Sequence, residues 1–245
     1  MIIDTHCHLD LLTADDLYAE LMPDRRYLTM STGMENWQAV STLARSSANI
    51  YAAFGIHPWF VCTQSDNVLS ELSALIESDK PTAIGEIGLD FSASHSHSRH
   101  LQVQVFEQQL TLAADFKLPV SLHVVKAHEV MLALLKRYRP QGVVHSLGAS
   151  IELARRYVDL GFKIGVNGIV LRDNARRYHQ LVSYFGLDHI VLESDAPNIA
   201  LPGAKTGHLH DIDRTIARIA ELSGLQIDDV IAVSGHNAQQ IFQFR

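Results

Sequence analysis

The feature that most constrains this chain is a regular alternation. Eight short runs of β-branched and apolar residues, at 2–5, 27–31, 50–55, 82–87, 120–124, 142–145, 162–166 and 190–193, are separated by longer stretches of mixed polarity. Runs of this length and composition read as strands covered on both faces. The intervening stretches carry the period of an amphipathic helix. In 98–116, Leu101, Val105, Leu112 and Phe116 recur at spacings near 3.6, and Lys117-Leu118-Pro119 stops the pattern. Two more helical stretches, 211–222 and 227–244, close the chain. No low-complexity tract, internal repeat beyond the unit itself or Pro/Gly/Ser linker divides it. Eight strand–helix units in one uninterrupted chain predict an α/β fold, a single (β/α)8 barrel domain over 1–245 with the helices outside.

Length agrees, since the chain has 245 residues and such barrels take about 250. With 47% hydrophobic residues, a chain this long can bury roughly 70–75% of its unfolded surface without a covalent staple. Cys7 and Cys62 are too few for a disulfide framework and point to a reducing compartment or simply to no redox role. The first ten residues, MIIDTHCHLD, have neither a basic nor an apolar leader region, and no apolar run approaches the ~18 residues of a membrane span. The expectation is a cytoplasmic protein with no membrane association and no obligate protein partner. A net charge of −7 argues against a broad basic nucleic-acid surface. It leaves open a local, metal-rich cleft, and the 14 histidines are the anomaly of the composition.

An open doubly wound sheet would have the same alternation, so the polar residues must decide. His6 and His8 follow the first run, Glu86 and His123 come late in the fourth and fifth, His145 ends the sixth, and Asp195 follows the eighth. All six lie at or beyond carboxyl ends of expected strands. A barrel collects its site from many βα loops at that end, whereas a doubly wound sheet gathers it at one switch point.

His6-Cys7-His8 is the sharpest motif. Alternate residues of an extended chain point to one side, so the two imidazoles can approach one ion while Cys7 turns away. Alone, such a triplet arises by chance in a His-rich chain, or serves to cap loop groups. The full set changes the weighing. Burying four imidazoles and two carboxylates in one mouth without a cation costs several kcal/mol for each unpaired charge. Six ligands also exceed what one four- or five-coordinate catalytic ion needs, which suggests two divalent ions. A carboxylate such as Glu86 can bridge ions about 3.5–4 Å apart, and such a pair makes hydroxide available near neutral pH. The mixed nitrogen and oxygen set without thiolate suits Zn, Mn, Co or Ni better than Mg.

These residues resemble the TatD family of metal-dependent hydrolases. The resemblance rests on Asp4-Thr5-His6-Cys7-His8-Leu9-Asp10, Gly55-Ile56-His57-Pro58, Gly85-Glu86-Ile87-Gly88-Leu89-Asp90, Phe106-Glu107-Gln108-Gln109-Leu110 with Leu118-Pro119-Val120, and Leu192-Glu193-Ser194-Asp195-Ala196-Pro197. It extends to Asn237-Ala238 and Ile241-Phe242, and so spans nearly the whole chain. It implies a (β/α)8 barrel, two divalent ions and hydrolysis of phosphodiester bonds in DNA. It further implies that His6 and His8 bind the first ion, Glu86 bridges, and His123 and His145 bind the second. Asp195 would hold the first ion and help to activate water, which makes Glu86 and Asp195 the catalytic pair.

Departures from the family pattern bear on substrate. Where relatives place an Arg two residues after the fifth-strand histidine, this chain has Val125, followed by Lys126. The sixth strand ends His145-Ser146-Leu147-Gly148, the last loop reads Lys205-Thr206-Gly207-His208-Leu209, and the His-Pro turn ends in Trp59. Losing an Arg removes the planar fork that grips phosphate and leaves the metal ligands untouched. Candidate substrate contacts are His57, Trp59, Lys126, Lys205 and His208, each of which also has a plain reading as turn packing or surface polarity. Glu193 shares the strand face of Asp195 and can hydrogen-bond a ligand or simply fill the barrel interior. His95, His97 and His100 read as an exposed loop and helix start, Arg172, Arg176 and Arg177 as a solvated helix face. The leading expectation is a two-metal phosphodiesterase acting on DNA or a small phosphate ester. A metal-dependent amidohydrolase or lactonase is the alternative, and a metal-binding but idle barrel is the third.

Overall fold

The computed structural model describes residues 1–63 and 67–244. Eight strands pair in parallel and in chain order: β1 (Ile2–Cys7), β2 (Arg25–Met30), β3 (Ile50–Phe54), β4 (Ala83–Asp90), β5 (Val120–Val125), β6 (Gly142–Val144), β7 (Lys163–Val166) and β8 (Ile190–Leu192). The edge between β8 and β1 is joined just past the end of β8, where Asp195 N–H donates to His6 O at 2.9 Å and His8 N–H to Ala196 O at 2.8 Å. Thr5 Oγ1 adds a bond to Leu192 O at 2.9 Å. The sheet is therefore a barrel, as the alternation predicts.

Helices alternate with the strands: α1 (Ala14–Glu20), α2 (Met34–Ser46), α3 (Val68–Asp79), α4 (Arg99–Phe116), α5 (His128–Tyr138), α6 (Ile151–Val158), α7 (Arg176–Phe185), α8 (Ile212–Ser223) and α9 (Ile227–Phe242). Every residue of β4 is buried, because a barrel strand faces the interior on one side and helices on the other. That is why the strands read as apolar runs rather than alternating ones. Helix ends follow local chemistry. Thr13 Oγ1 accepts from Asp16 N–H at the start of α1, and Ser150 Oγ from Leu153 N–H at the start of α6. Lys80, Lys117 and Arg139 end α3, α4 and α5 in the left-handed conformation, and Pro81, Pro119 and Pro140 lie one or two residues on, where a helix cannot continue.

Three strands run further than their apolar runs suggest, β5 by the single residue Val125 and two by more. β1 extends to Cys7, so His6 lies within the strand and only His8 beyond it; β4 extends to Asp90. A register shift between Asp4 and Cys7 accompanies the first extension. The last two helices are Ile212–Ser223 and Ile227–Phe242, against expected spans of 211–222 and 227–244. The main core lies between sheet and helices, and a second cluster joins Ile3, Leu28, Met30 and Val191 to Phe242 and Phe244. A cavity of about 610 Å³ opens at the amino ends of the strands beside Lys80, Thr82, Lys117 and Pro119. The polar cluster expected from the sequence sits at the opposite end.

Candidate active site

His6 projects from β1 and His8 from the residue after it, and their Nε2 atoms come to 3.3 Å of each other. Glu86, fifth-from-last residue of β4, meets both: its Oε2 lies 3.5 Å from His6 Nε2 and 3.8 Å from His8 Nε2. Its other oxygen faces a different pair, with Oε1 3.1 Å from His123 Nδ1 and 3.6 Å from His57 Nε2. Asp195 closes the remaining side, Oδ1 at 3.5 Å from His8 Nε2 and Oδ2 at 3.4 Å from His145 Nε2. The six residues singled out as ligands are thus brought together. His6, His8, Glu86, His145 and Asp195 are buried, and His123 is partly so.

The donor geometry fits divalent metal. Two nitrogen lone pairs pointing at one another across 3.3 Å repel unless a cation or a proton lies between them. Ligands about 2.0–2.2 Å from a tetrahedral ion stand roughly 3.3–3.6 Å apart, and five of the seven contacts above fall in that range. His8 Nδ1 has no hydrogen-bond partner despite burial. Two groups of three potential ligands share one residue: His6, His8 and Glu86 form the first, and His57, Glu86 and His123 the second. The resemblance pairs His123 with His145. Here the acidic neighbours of His123 are Glu86 and Asp90, while His145 stacks on His6 at 3.7 Å between centroids and faces Asp195 and Glu193.

Electrostatics follows from burial and these pairings. Burial lowers His57, to about 4, and also lowers His8 with help from His6, so both favour the neutral, ligating imidazole. Burial raises Glu86, but His57, His6 and His123 outweigh it and hold the carboxylate well below its ordinary range. Asp195 is likewise opposed by burial yet lowered to about 2 by His145, His6 and His8. Burial lowers His123 and His145, and their carboxylate neighbours reverse that and raise both.

A supporting layer fixes the ligands. Asp4, buried at the middle of β1, accepts from Ser194 Oγ at 2.6 Å and from Ser194 N–H at 3.0 Å, tying that strand to the Asp195 turn. Asp195 itself takes φ 51°. Glu193 is fully buried behind His145, with Oε1 3.1 Å from Nδ1, although that contact is too bent for a hydrogen bond. The same oxygen accepts from Ser146 N–H at 2.8 Å and Asn167 Nδ2 at 3.1 Å. Asp90 Oδ2 lies 3.4 Å from His123 Nε2 and accepts from Trp59 Nε1 at 2.7 Å. Gly88, with φ 150°, is required beside this layer because a Cβ there would stand 1.9 Å from His123 O.

The proposed substrate contacts divide. His57 enters the donor set and Trp59 its rim. Lys126 is exposed just past β5, and Lys205 is exposed in the loop after β8. His208 turns to Glu20 of α1, 2.6 Å from Nδ1 to Oε1, and with His210 forms a separate group of potential ligands. Sequence reasoning missed His57 as a possible ligand and Asp90 as the residue holding His123. Gly-Ile-His-Pro after β3 and the acid ending Gly-Leu-Asp were the available signals. His128 and His179, on α5 and α7, are half-buried and bonded, to Tyr157 Oη at 2.9 Å and Val170 O at 2.8 Å.

Comparison with known proteins agrees with this architecture. The family model described as TatD related DNase matches residues 3–243. The metal-dependent hydrolase YjjV of Escherichia coli K12 is 32% identical over 252 residues, covering 98% of this chain and 97% of that protein. The crystal structure of the YjjV TatD homologue from that organism superposes with a TM-score of 0.93 at 31% identity, covering 100% of this chain and 98% of the other. A protein of Erwinia amylovora named 3'-5' ssDNA/RNA exonuclease TatD is 32% identical over 227 residues, 88% of this chain and 86% of its own. With the barrel, the donor cluster and these likenesses in hand, the chain is a metal-dependent hydrolase and belongs to the TatD family.

Proposed function

We propose that this protein is a two-metal phosphodiesterase. The observation that carries the reading is the position of Glu86, whose two carboxylate oxygens each face a different pair of imidazoles. A buried carboxylate so placed suits a bridge between two ions, with His6, His8 and Asp195 on one side and His123 and His57 on the other. His145 adds a nitrogen next to Asp195. The nitrogen and oxygen set favours Zn, Mn, Co or Ni. When bound, such ions polarise the phosphoryl group, lower the pKa of water and offset the charge added during attack.

The chain's own residues supply the rest. Asp195, kept ionised at neutral pH, orients the attacking water and accepts its proton at a carboxylate oxygen. Asp4 and Ser194 fix the turn that carries it. Asp90 holds the ring of His123 and the buried carboxylate of Glu193 backs that of His145, so little reorganisation accompanies the reaction. The name of the Erwinia relative, an exonuclease for single-stranded DNA and RNA, supports a nucleic-acid phosphodiester as the substrate. Cytoplasmic action belongs to the same reading, since Cys7 and Cys62 are both free thiols.

One observation favours a second reading, hydrolysis of a small ester or amide carbonyl. Val125, half-buried beside Asp90 in the β4–β5 register, stands where the family pattern has an Arg. Metal-loaded protein should therefore be assayed against single-stranded DNA, a chromogenic phosphodiester and a lactone panel. Turnover of the phosphodiesters is expected, and turnover of carbonyl substrates alone would overturn the proposal. Glu86→Ala should lose metal and at least 100-fold in activity, as loss of a bridging ligand requires. Unchanged metal content in that variant would remove the bridge.

A further inference from the structure

The rim of the donor cluster carries an aromatic surface that hydrolysis alone leaves without a task. Trp59 follows His57 in the loop after β3 and is 49% exposed. It is nevertheless held on three sides. Its Nε1–H donates to Asp90 Oδ2 at 2.7 Å, and its ring lies parallel to His95, 8° between planes and 4.8 Å between centroids. Its ring also meets those of His57 and His123, 4.9 and 6.0 Å between centroids and steeply inclined at 87° and 75°. The carboxylate that fixes the indole is the one beside His123 Nε2, so ring plane and donor cluster form a single frame.

We propose that Trp59, backed by His95, is a stacking subsite for an unpaired nucleobase next to the phosphodiester that is cut. The inference rests on the phosphodiesterase reading and narrows its substrate to single-stranded nucleic acid and its short fragments. An indole whose orientation is already set loses little freedom when a second ring stacks on it. Stacking also suits this chain's charge. With a net charge of −7 and Val125 in place of an Arg, phosphate contacts give a weak grip. The flat face of a base supplies affinity that depends on neither sequence nor salt bridges. A base within a duplex is covered on both faces by its neighbours and reaches such a ring only after extrusion, so the subsite discriminates against double strands.

Two measurements on the full chain test this. In the first, metal-free protein is titrated with oligothymidylate and with an abasic chain of the same length while tryptophan emission is followed. Trp37, the other tryptophan, is buried at 5% exposure, so the exposed signal comes from Trp59. Oligothymidylate should quench it and the abasic chain should not, and Trp59→Ala should remove the base-dependent quenching. In the second, metal-loaded protein is compared on the two chains. The wild-type kcat/KM ratio of base-bearing to abasic substrate should be roughly 5- to 100-fold, the worth of one base–aromatic stack. It should fall toward one in Trp59→Ala, while Trp59→Phe, which keeps a ring, retains part of it.

A wild-type ratio near one, or an unchanged ratio in Trp59→Ala, overturns the subsite and leaves the phosphodiesterase standing. Base-dependent quenching without hydrolysis of any phosphodiester supports the subsite and overturns the proposed reaction. Equal quenching by both chains also overturns the subsite.

Discussion

At the scale of single residues, the site depends on close approaches that admit no substitution. Gly165 of β7 lies against Glu193, and a Cβ at that position would stand 2.1 Å from its Oε2. Glu193 is the acid behind His145, so a methyl group there pushes on a metal-capable histidine through one intermediary. Gly165→Ala should cost about 1–3 kcal/mol of stability, the usual penalty for overpacking, and should reduce metal retention. Urea denaturation with metal analysis reads both, and wild-type behaviour in both would contradict the arrangement. The six expected ligands were legible because each follows or ends an apolar run. Glu193 was legible as an acid two residues from Asp195, able to hydrogen-bond a ligand or fill the interior, and His57 as a candidate substrate contact or part of a turn, neither with its partner. Their partners come from strands far away in sequence, and no local pattern encodes those meetings.

At the scale of elements, the alternation announced the strands and helices, and their ends were the weaker part. β1 and β4 run on to Cys7 and Asp90 because partners on β2 and β5 continue to pair with them, a property of the neighbours rather than of the strand's own residues. The loop after β8 shows the same dependence. Its Leu209 N–H donates to Glu20 Oε2 at 2.6 Å, and His208 pairs with the other oxygen, so α1 is tied to the entry of α8. The hydrogen bond to Glu20 raises the His208 pKa. A raised folded-state value means that this pair stabilises fully below the unfolded pKa of about 6.5 and fades as pH rises through the folded value. The stability difference between wild type and His208→Gln should therefore be larger at about pH 5.5 than at about pH 8.5. Denaturant titration at both values checks it, and a difference that grows with pH would contradict the pairing.

At the scale of the whole molecule, stability and site meet through closure of the barrel. His6 O and His8 N–H, flanking the donor cluster, are also the groups that join β1 to the Asp195 turn. Distortion of closure is thus distortion of the site. The end of the chain contributes from the opposite side, where buried Phe242 and Phe244 pack on Ile3, Leu28 and Met30. Phe242→Ala should cost about 3–5 kcal/mol, as expected for a buried Phe replaced without collapse of its space. Chemical denaturation measures that loss, and a cost below about 1 kcal/mol would mean that α9 is dispensable to the core. What the sequence determined by itself was periodic or local: eight strand–helix units, the ends of the apolar runs and the ligand-type residues placed there. What only the tertiary structure decided was which of those ends meet. It put His57 beside Glu86, Asp90 between His123 and Trp59, and His208 on Glu20. The reason is geometric, since residues tens to hundreds of positions apart become neighbours only when the sheet closes on itself.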